Sequence, residues 1–197
     1  MQWRVRPLIF ARTPLHDMTT IDTPRLLLRP FTAADAPGIL ALDSDPEVLR
    51  YVPMPLMTSL EQAVRVVDYI QAQYARNGVG RWVVERKADG AFLGWCGLKF
   101  VDDATTNGRT NYHDLGYRLL PRHWGQGYTS EAAAASLRHG FDTLKLPALH
   151  ATVMQGNVAS QRVVERLGFG RTAEFEQDGA TWYWYERQNQ PDPEQPK

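Results

Sequence analysis

The sequence predicts one α/β domain built on a mixed sheet with helices on its faces. Three observations carry this. A strand-like segment, His113 to Leu120, passes through a turn with two glycines into a helical segment, Thr129 to Leu144. Strand signals dominate the middle of the chain, and hairpin chemistry at Ala88-Asp89-Gly90 makes two of those strands antiparallel. Amphipathic helical stretches lie on either side of that block, so the sheet can be covered on its faces.

The elements follow in order. Arg25 to Pro30 reads as a first strand, opened by Thr23-Pro24 and closed by Pro30. Thr32 is an N-cap with Asp35 three residues on, a capping-box variant, and opens a helix to Asp43 with Ile39 and Leu40 facing the core. Asp45-Pro46-Glu47 starts a short further turn. Thr58 or Ser59 caps a longer helix to about Arg76, with Ala63, Val66, Val67 and Ile70 on one face and Asn77-Gly78 as its stop.

Strands are expected over Gly80 to Lys87, Ala91 to Phe100 and His113 to Leu120. The helix after the glycine turn spaces Ala133, Leu137, Phe141 and Leu144 as one apolar stripe. Leu149 to Met154 is another strand. Asn157 caps a helix through Leu167, with Val163, Val164 and Leu167 inward and Gly168 as its stop. Phe175 to Glu176 and Thr181 to Arg187, joined through Gln177-Asp178-Gly179-Ala180, make a closing hairpin. Residues 1–20 read as an extension, with Met18 an alternative natural start. Residues 21–187 form the domain, and 188–197 a polar tail with three prolines, expected to be disordered.

Bulk properties exclude several classes. Lys plus Arg and Asp plus Glu number 22 each, so the formal charge is zero. A nucleic-acid binder needs a basic excess, and none is present. Cys96 is alone, so no disulfide framework or cysteine-based metal site can form, and its apolar neighbours make it a small buried hydrophobe. No apolar run reaches membrane-spanning length, and residues 1–17 lack a signal-peptide core. A reducing cytoplasm fits best.

The most informative stretch is Arg122-His123-Trp124-Gly125-Gln126-Gly127, between strand and helix. The first amides of a helix have no intrahelical partner and carry the positive end of the peptide dipoles. A glycine turn feeding such an end is suited to a pyrophosphate.

Four blocks, in order, resemble the GNAT superfamily of acyl-CoA-dependent N-acyltransferases, and within it the ribosomal-protein N-terminal acetyltransferase (RimJ/RimL-type) branch. They are Thr23 to Pro30; Phe92 to Leu98; Leu115-Gly116-Tyr117 with Trp124 to Ala132; and Asn157 to Ser160 with Leu167-Gly168-Phe169. The match spans about Ile21 to Arg187. It implies the GNAT fold, in which two parallel neighbours, here His113 to Leu120 and Leu149 to Met154, splay into a V that holds acetyl-CoA. The pyrophosphate would meet the amides of Gly125, Gln126, Gly127, Tyr128 and Thr129, with a hydroxyl from Thr129 or Ser130. Arg122 would add charge or only its backbone, and Trp124 would wall the turn. The pantetheine arm would pair with strand backbone near Tyr117 to Leu119.

The resemblance also implies the chemistry. Acetyl transfer needs a neutral nitrogen, an oriented thioester, an oxyanion donor and a proton for the departing thiolate. Deprotonating a lysine amine at neutral pH costs roughly 4 to 5 kcal/mol, and an α-amine only about 1 to 1.4 kcal/mol. Asp114 stands where many members carry a carboxylate base, and its shorter side chain favours a water-relayed role; it could equally be a strand-end charge in solvent. His113 points to the opposite face of that strand. Val164 replaces the tyrosine acid of many members, and Ser160 takes a comparable place in the resembling branch. Asn157 would bind the cofactor arm, while both residues also suit the helix start itself. Tyr51 to Leu56 and Tyr74 to Arg81 are expected along the acceptor side. The expected partners are acetyl-CoA and an amine, either a peptide or protein N-terminus or a small molecule. A homodimer would rest on the resemblance alone. A non-catalytic acyl-CoA sensor is the alternative. A dinucleotide enzyme is disfavoured, because the turn follows antiparallel-type strands and no Gly-Lys-Ser/Thr follows it.

Overall fold

The computed structural model describes residues 19–189. Those residues form an eight-stranded sheet. In chain order the strands are β1 (Ile21–Asp22), β2 (Leu26–Arg29), β3 (Arg81–Arg86), β4 (Ala91–Val101), β5 (Tyr112–Leu119), β6 (Ala148–Met154), β7 (Gly170–Gln177) and β8 (Ala180–Gln188). In space they run β1-β2-β3-β4-β5-β6-β8-β7. Every neighbouring pair is antiparallel except β5 and β6, which are parallel.

That exception shapes the molecule. Strand β5 is paired with β4 along its whole length, from Leu119 opposite Gly94 to Tyr112 opposite Val101. Against β6 it keeps a single paired position, Asp114 opposite His150. Beyond it the two strands part, which leaves one edge of β5 with unused backbone donors and acceptors. This is the expected splayed pair of the mixed α/β sheet.

The helices are α1 (Ala36–Asp43), α2 (Pro46–Leu49), α3 (Leu60–Asn77), α4 (Tyr128–Arg138) and α5 (Val158–Arg166). Their starts follow the capping chemistry of the sequence. Thr32 and Asp35 form the capping box, although the segment they open begins as a 3-10 turn, Ala33–Asp35, before α1. Ser59 caps α3 in a box with Gln62, and Gly78 ends it in the left-handed conformation. Asn157 Oδ1 accepts from the Ser160 amide, 3.1 Å away, at the start of α5.

Two apolar layers sandwich the sheet. On one side Ala132, Ala133, Leu137 and Phe141 of the α4 segment and Val164 of α5 pack on Leu98, Leu115, Leu149 and Val153. On the other, Ile39 of α1 and Ala63, Val67 and Ile70 of α3 pack against Phe31 and Val83. Leu40 and Val66 are only half-buried at the margin of that second layer. No helix of the described residues is long and apolar enough to cross a membrane.

Some expectations shift. Strand β1 is a two-residue bridge too short for a period to announce. The helix after the glycine turn changes to π geometry over His139–Thr143, closed by Leu144 N–H to His139 O at 3.0 Å. Strand β7 begins at Gly170, well before Phe175, because an outer strand needs little apolar alternation and most of its residues are exposed. Strand β8 continues to Gln188, and Asn189 Nδ2 donates to Leu146 O at 3.0 Å, so order runs past the expected boundary at 187. The remainder of the tail and residues 1–18 lie outside the described residues.

Candidate active site

The turn between β5 and α4 is built from local bonds. The His123 and Trp124 amides donate to Leu120 O and Pro121 O at 2.9 and 3.0 Å, closing a 3-10 turn over Pro121–His123. Trp124 Nε1 reaches back to Leu119 O at 2.7 Å, while much of its ring stays exposed. Gly125 and Gly127 then take φ values of 72° and 78°, which a side chain would disfavour. Nothing lies within 4 Å of a Cβ on Gly125, so backbone conformation alone explains that glycine. The first amide of this region with a partner is Glu131, bonded to Gly127 O at 3.1 Å. Among the described residues, the amides from Gly125 to Ser130 donate to nothing. A bare run of donors at a helix start is an anion cradle.

The side chains around it divide by role. Tyr128 is buried, with the Arg25 guanidinium 4.6 Å from its ring centroid, so it offers the cradle only backbone. Thr129 and Ser130 are half-buried, and their hydroxyls donate to no described group. Arg122 turns its Nε toward His123 Nε2 at 3.2 Å, and its carbonyl accepts from Gln126 Nε2 at 3.0 Å. Its charge therefore sits beside His123, and its link to the cradle runs through that carbonyl.

The gap between β5 and β6 opens into a cleft of about 260 Å³. Asp114, Tyr117, Asn157 and Ser160 all line it, and Arg81, Trp95 and Trp182 share its walls. The Tyr117 hydroxyl lies 2.9 Å from Ser160 Oγ and donates toward Ser160 O at 3.1 Å. Burial raises the Tyr117 pKa, although the Ser160 bond opposes it, so the phenol keeps its proton. Val164, one turn beyond Ser160, is buried in the lining and brings no hydroxyl. Leu119 is buried and can serve only through its backbone.

Asp114 is not a free surface charge. Its Oδ2 is ion-paired with Arg81 Nη2, while Arg81 Nη1 donates to the carbonyls of Asp114, at 3.1 Å, and Gly97. Arg81 lies across Gly116, where a Cβ would sit 2.7 Å from Nη2; the missing side chain makes room for the guanidinium. Asp114 Oδ1 has no partner among the described residues. His113 faces away from the cleft, its ring 4.9 Å from Phe100 and its pKa held down by burial. Cys96 is fully buried and pushed up to about 12 by burial, an inert thiol.

The family model for the acetyltransferase (GNAT) domain matches residues 25–170. The chain belongs to the GNAT acetyltransferase family. Its GNAT fold and its class, an acyltransferase enzyme, follow from that membership. The chain is 34% identical over 149 residues to "Uncharacterized N-acetyltransferase YoaA" of Bacillus subtilis strain 168, covering 76% of this chain and 81% of that protein. It is 31% identical to "FsC-acetyl coenzyme A-N(2)-transacetylase" of Aspergillus fumigatus, over 79% of this chain and 67% of the relative. The solved structure of Mycobacterium smegmatis RimJ in complex with CoA-disulfide superposes with a TM-score of 0.71 at 23% identity, covering 87% of this chain and 88% of that one.

Within the GNAT cleft, Asp114, Tyr117, Asn157 and Ser160 come together as the sequence motifs imply, while Arg81, expected only along the acceptor side, proves to be the group that holds Asp114. Arg81 carried a signal: a lone cation opening an apolar strand, Arg81-Trp82-Val83-Val84. Arg25 and Glu131 were missed because their contact spans 106 residues of sequence. Of the segments expected along the acceptor side, Tyr51, Val52 and Arg81 line the cleft. Tyr74 does not: it is buried on the inner face of α3, where its hydroxyl accepts from Phe31 N–H at 3.2 Å.

Proposed function

We propose that the protein transfers an acetyl group from acetyl-CoA to a primary amine by direct attack in a ternary complex. The observation that carries this is the run of unpartnered amides at Gly125 to Ser130, set beside a strand gap with a free backbone edge. The fit to CoA is chemical. Open donors at a helix start suit a diphosphate, and the free edge of β5 suits the amides of a pantetheine arm. The named CoA-using relative supports the same reading.

Acetyl-CoA supplies the activated thioester; this chain's residues orient it and move protons. Gly125 to Thr129 hold the phosphates, and the backbone near Tyr117 and Leu119 aligns the arm. Asn157, already capping α5, still has its amide NH₂ available to the arm. Asp114, steadied by Arg81, accepts the amine's proton through water at its open oxygen Oδ1. As the N–C bond forms and the C–S bond breaks, Ser160 Oγ gives its proton to the leaving sulfur, and the Tyr117 hydroxyl bonded to it passes on a replacement while taking up a proton from water, so both hydroxyls end as they began.

The acceptor side supports an amine carried on a small body or a chain end. Tyr51, Trp95, Met154 and Trp182 line the same cleft as Asp114. The RimJ/RimL-type branch, with an α-amine acceptor, fits the low cost of deprotonating an α-amine. Acetyl-CoA turnover against N-terminal peptides, polyamines, amino acids and aminoglycosides, read as released thiol, tests the assignment. Turnover on peptides is the expected result. CoA binding with no turnover on any acceptor would favour a sensor instead.

A further inference from the structure

Thr23-Pro24-Arg25 leads into the region that the family model matches, yet no step above uses it. The structure ties it to the phosphate turn. Arg25 Nε donates to Glu131 Oε2 at 2.6 Å, the Arg25 amide donates to Oε1 at 2.9 Å, and Thr23 Oγ1 donates to the same oxygen at 2.7 Å. Arg25 Nη1 donates to Gln126 O at 3.0 Å, inside the turn. Its third nitrogen, Nη2, has no partner among the described residues. It lies 3.4 Å from the point a Cβ on Gly127 would occupy.

Glu131 makes this arrangement necessary. It sits in the first turn of α4, where a carboxylate favours the helix but repels a bound phosphate. Burial works to raise its pKa, but the bonds from Thr23 and Arg25 outweigh that and hold it down, so the charge persists. An anion can settle on the neighbouring amides only where a cation cancels that charge. The Arg25 guanidinium is nearly half exposed, held at two nitrogens and open at the third.

We propose that Arg25 is a cofactor-binding residue: Nη2 donates to the diphosphate of bound CoA, while Nε and Nη1 clamp Glu131 and the turn. This rests on the reading that CoA occupies the Gly125 to Ser130 amides. Arg25 thereby joins the first strand to the phosphate site, a forked contact of the kind guanidinium makes and ammonium does not.

The test is calorimetry of wild type, Arg25→Gln and Arg25→Lys with CoA, dephospho-CoA and pantetheine, each variant first checked for an intact melting transition. Arg25→Gln is expected to weaken CoA and dephospho-CoA alike by about tenfold and leave pantetheine unchanged. In turnover, KM for acetyl-CoA rises while kcat holds. Arg25→Lys is expected to recover part of the loss, and it carries the test if Arg25→Gln does not fold. Equal weakening of pantetheine would overturn the proposal, because Arg25 would then only shape the fold. A loss seen with CoA and not with dephospho-CoA would also overturn it, by moving the contact to the 3′-phosphate. Unchanged CoA affinity in both variants overturns it while leaving the site assignment intact. A wild-type protein that binds no CoA overturns both.

Discussion

The Tyr117 hydroxyl lies 2.9 Å from Ser160 Oγ and links the free edge of β5 to the first turn of α5. The contact crosses the splay, where strand pairing has already ended at Asp114 and His150. In the proposed mechanism the two hydroxyls form one proton path. Ser160→Ala and Tyr117→Phe are each expected to lower kcat about tenfold, with acetyl-CoA affinity nearly unchanged. Because they share a path, the double variant loses far less than the product of the two. Steady-state kinetics of the three variants checks this; multiplicative losses would separate the two roles.

Asp114→Asn keeps a similar shape and removes the proton acceptor. It is expected to lower kcat about a hundredfold with little change in KM for acetyl-CoA. The same variant weakens the tie to Arg81, so its melting temperature is measured beside its rate. A folded variant with wild-type kcat would remove Asp114 as the base. His150, opposite it in the parallel register, would then be the first group to examine.

Stability is expected to depend on pH through buried and half-buried imidazoles. Burial holds the pKa of His139 below its ordinary value, and the same holds for His113 and His123, with Arg122 and Arg86 adding to the push on His123 against an opposing pull from Asp89. The unfolded chain therefore binds protons that the folded chain refuses. Their contribution is complete above the unfolded value of about 6.5 and is lost as pH falls through the lower folded values. Urea midpoints at pH 7.5 and about 5.5 should show the drop. His139→Phe keeps an aromatic edge near Trp82, 5.2 Å away in the wild type, and should shrink that drop. An identical drop would exclude His139 as a contributor.

Asp35 is buried and receives both terminal nitrogens of Arg29, at 2.8 and 3.0 Å, besides capping its own turn. Burial pushes its pKa up, and the Arg29 and Thr32 bonds push it further down, so it is charged in the fold. Asp35→Asn would leave Arg29 short of a partner and is expected to cost about 3 kcal/mol in urea denaturation. A cost near zero would mean that Glu85, 2.7 Å from Arg29 Nε, compensates fully.

Most of the fold was legible in the sequence because its devices are local. Ser59 with Gln62, Gly78, Asn157 and the glycine turn each act within a few residues, so their elements begin and end near where composition places them. What was not legible is long-range or weakly patterned. The two-residue β1 has no period, and the outer strand β7 needs no apolar face. In the site, Asp114, Tyr117, Asn157 and Ser160 were readable because family motifs carry them. The partners that fix their state were not. Arg81 reaches Asp114 across 33 residues and Arg25 reaches Glu131 across 106, and no local rule encodes such pairs.

In the proposed function everything depends on the bare amides from Gly125 to Ser130 holding the diphosphate of CoA. Calorimetric titration of CoA into wild type and Gly125→Asp tests it most directly. The wild type should bind CoA, and the variant should bind it at least about tenfold more weakly, because the new carboxylate would face the phosphates and left-handed backbone disfavours the side chain. Equal affinity in the two proteins, or tight binding of NAD or ATP with none for CoA, would contradict it.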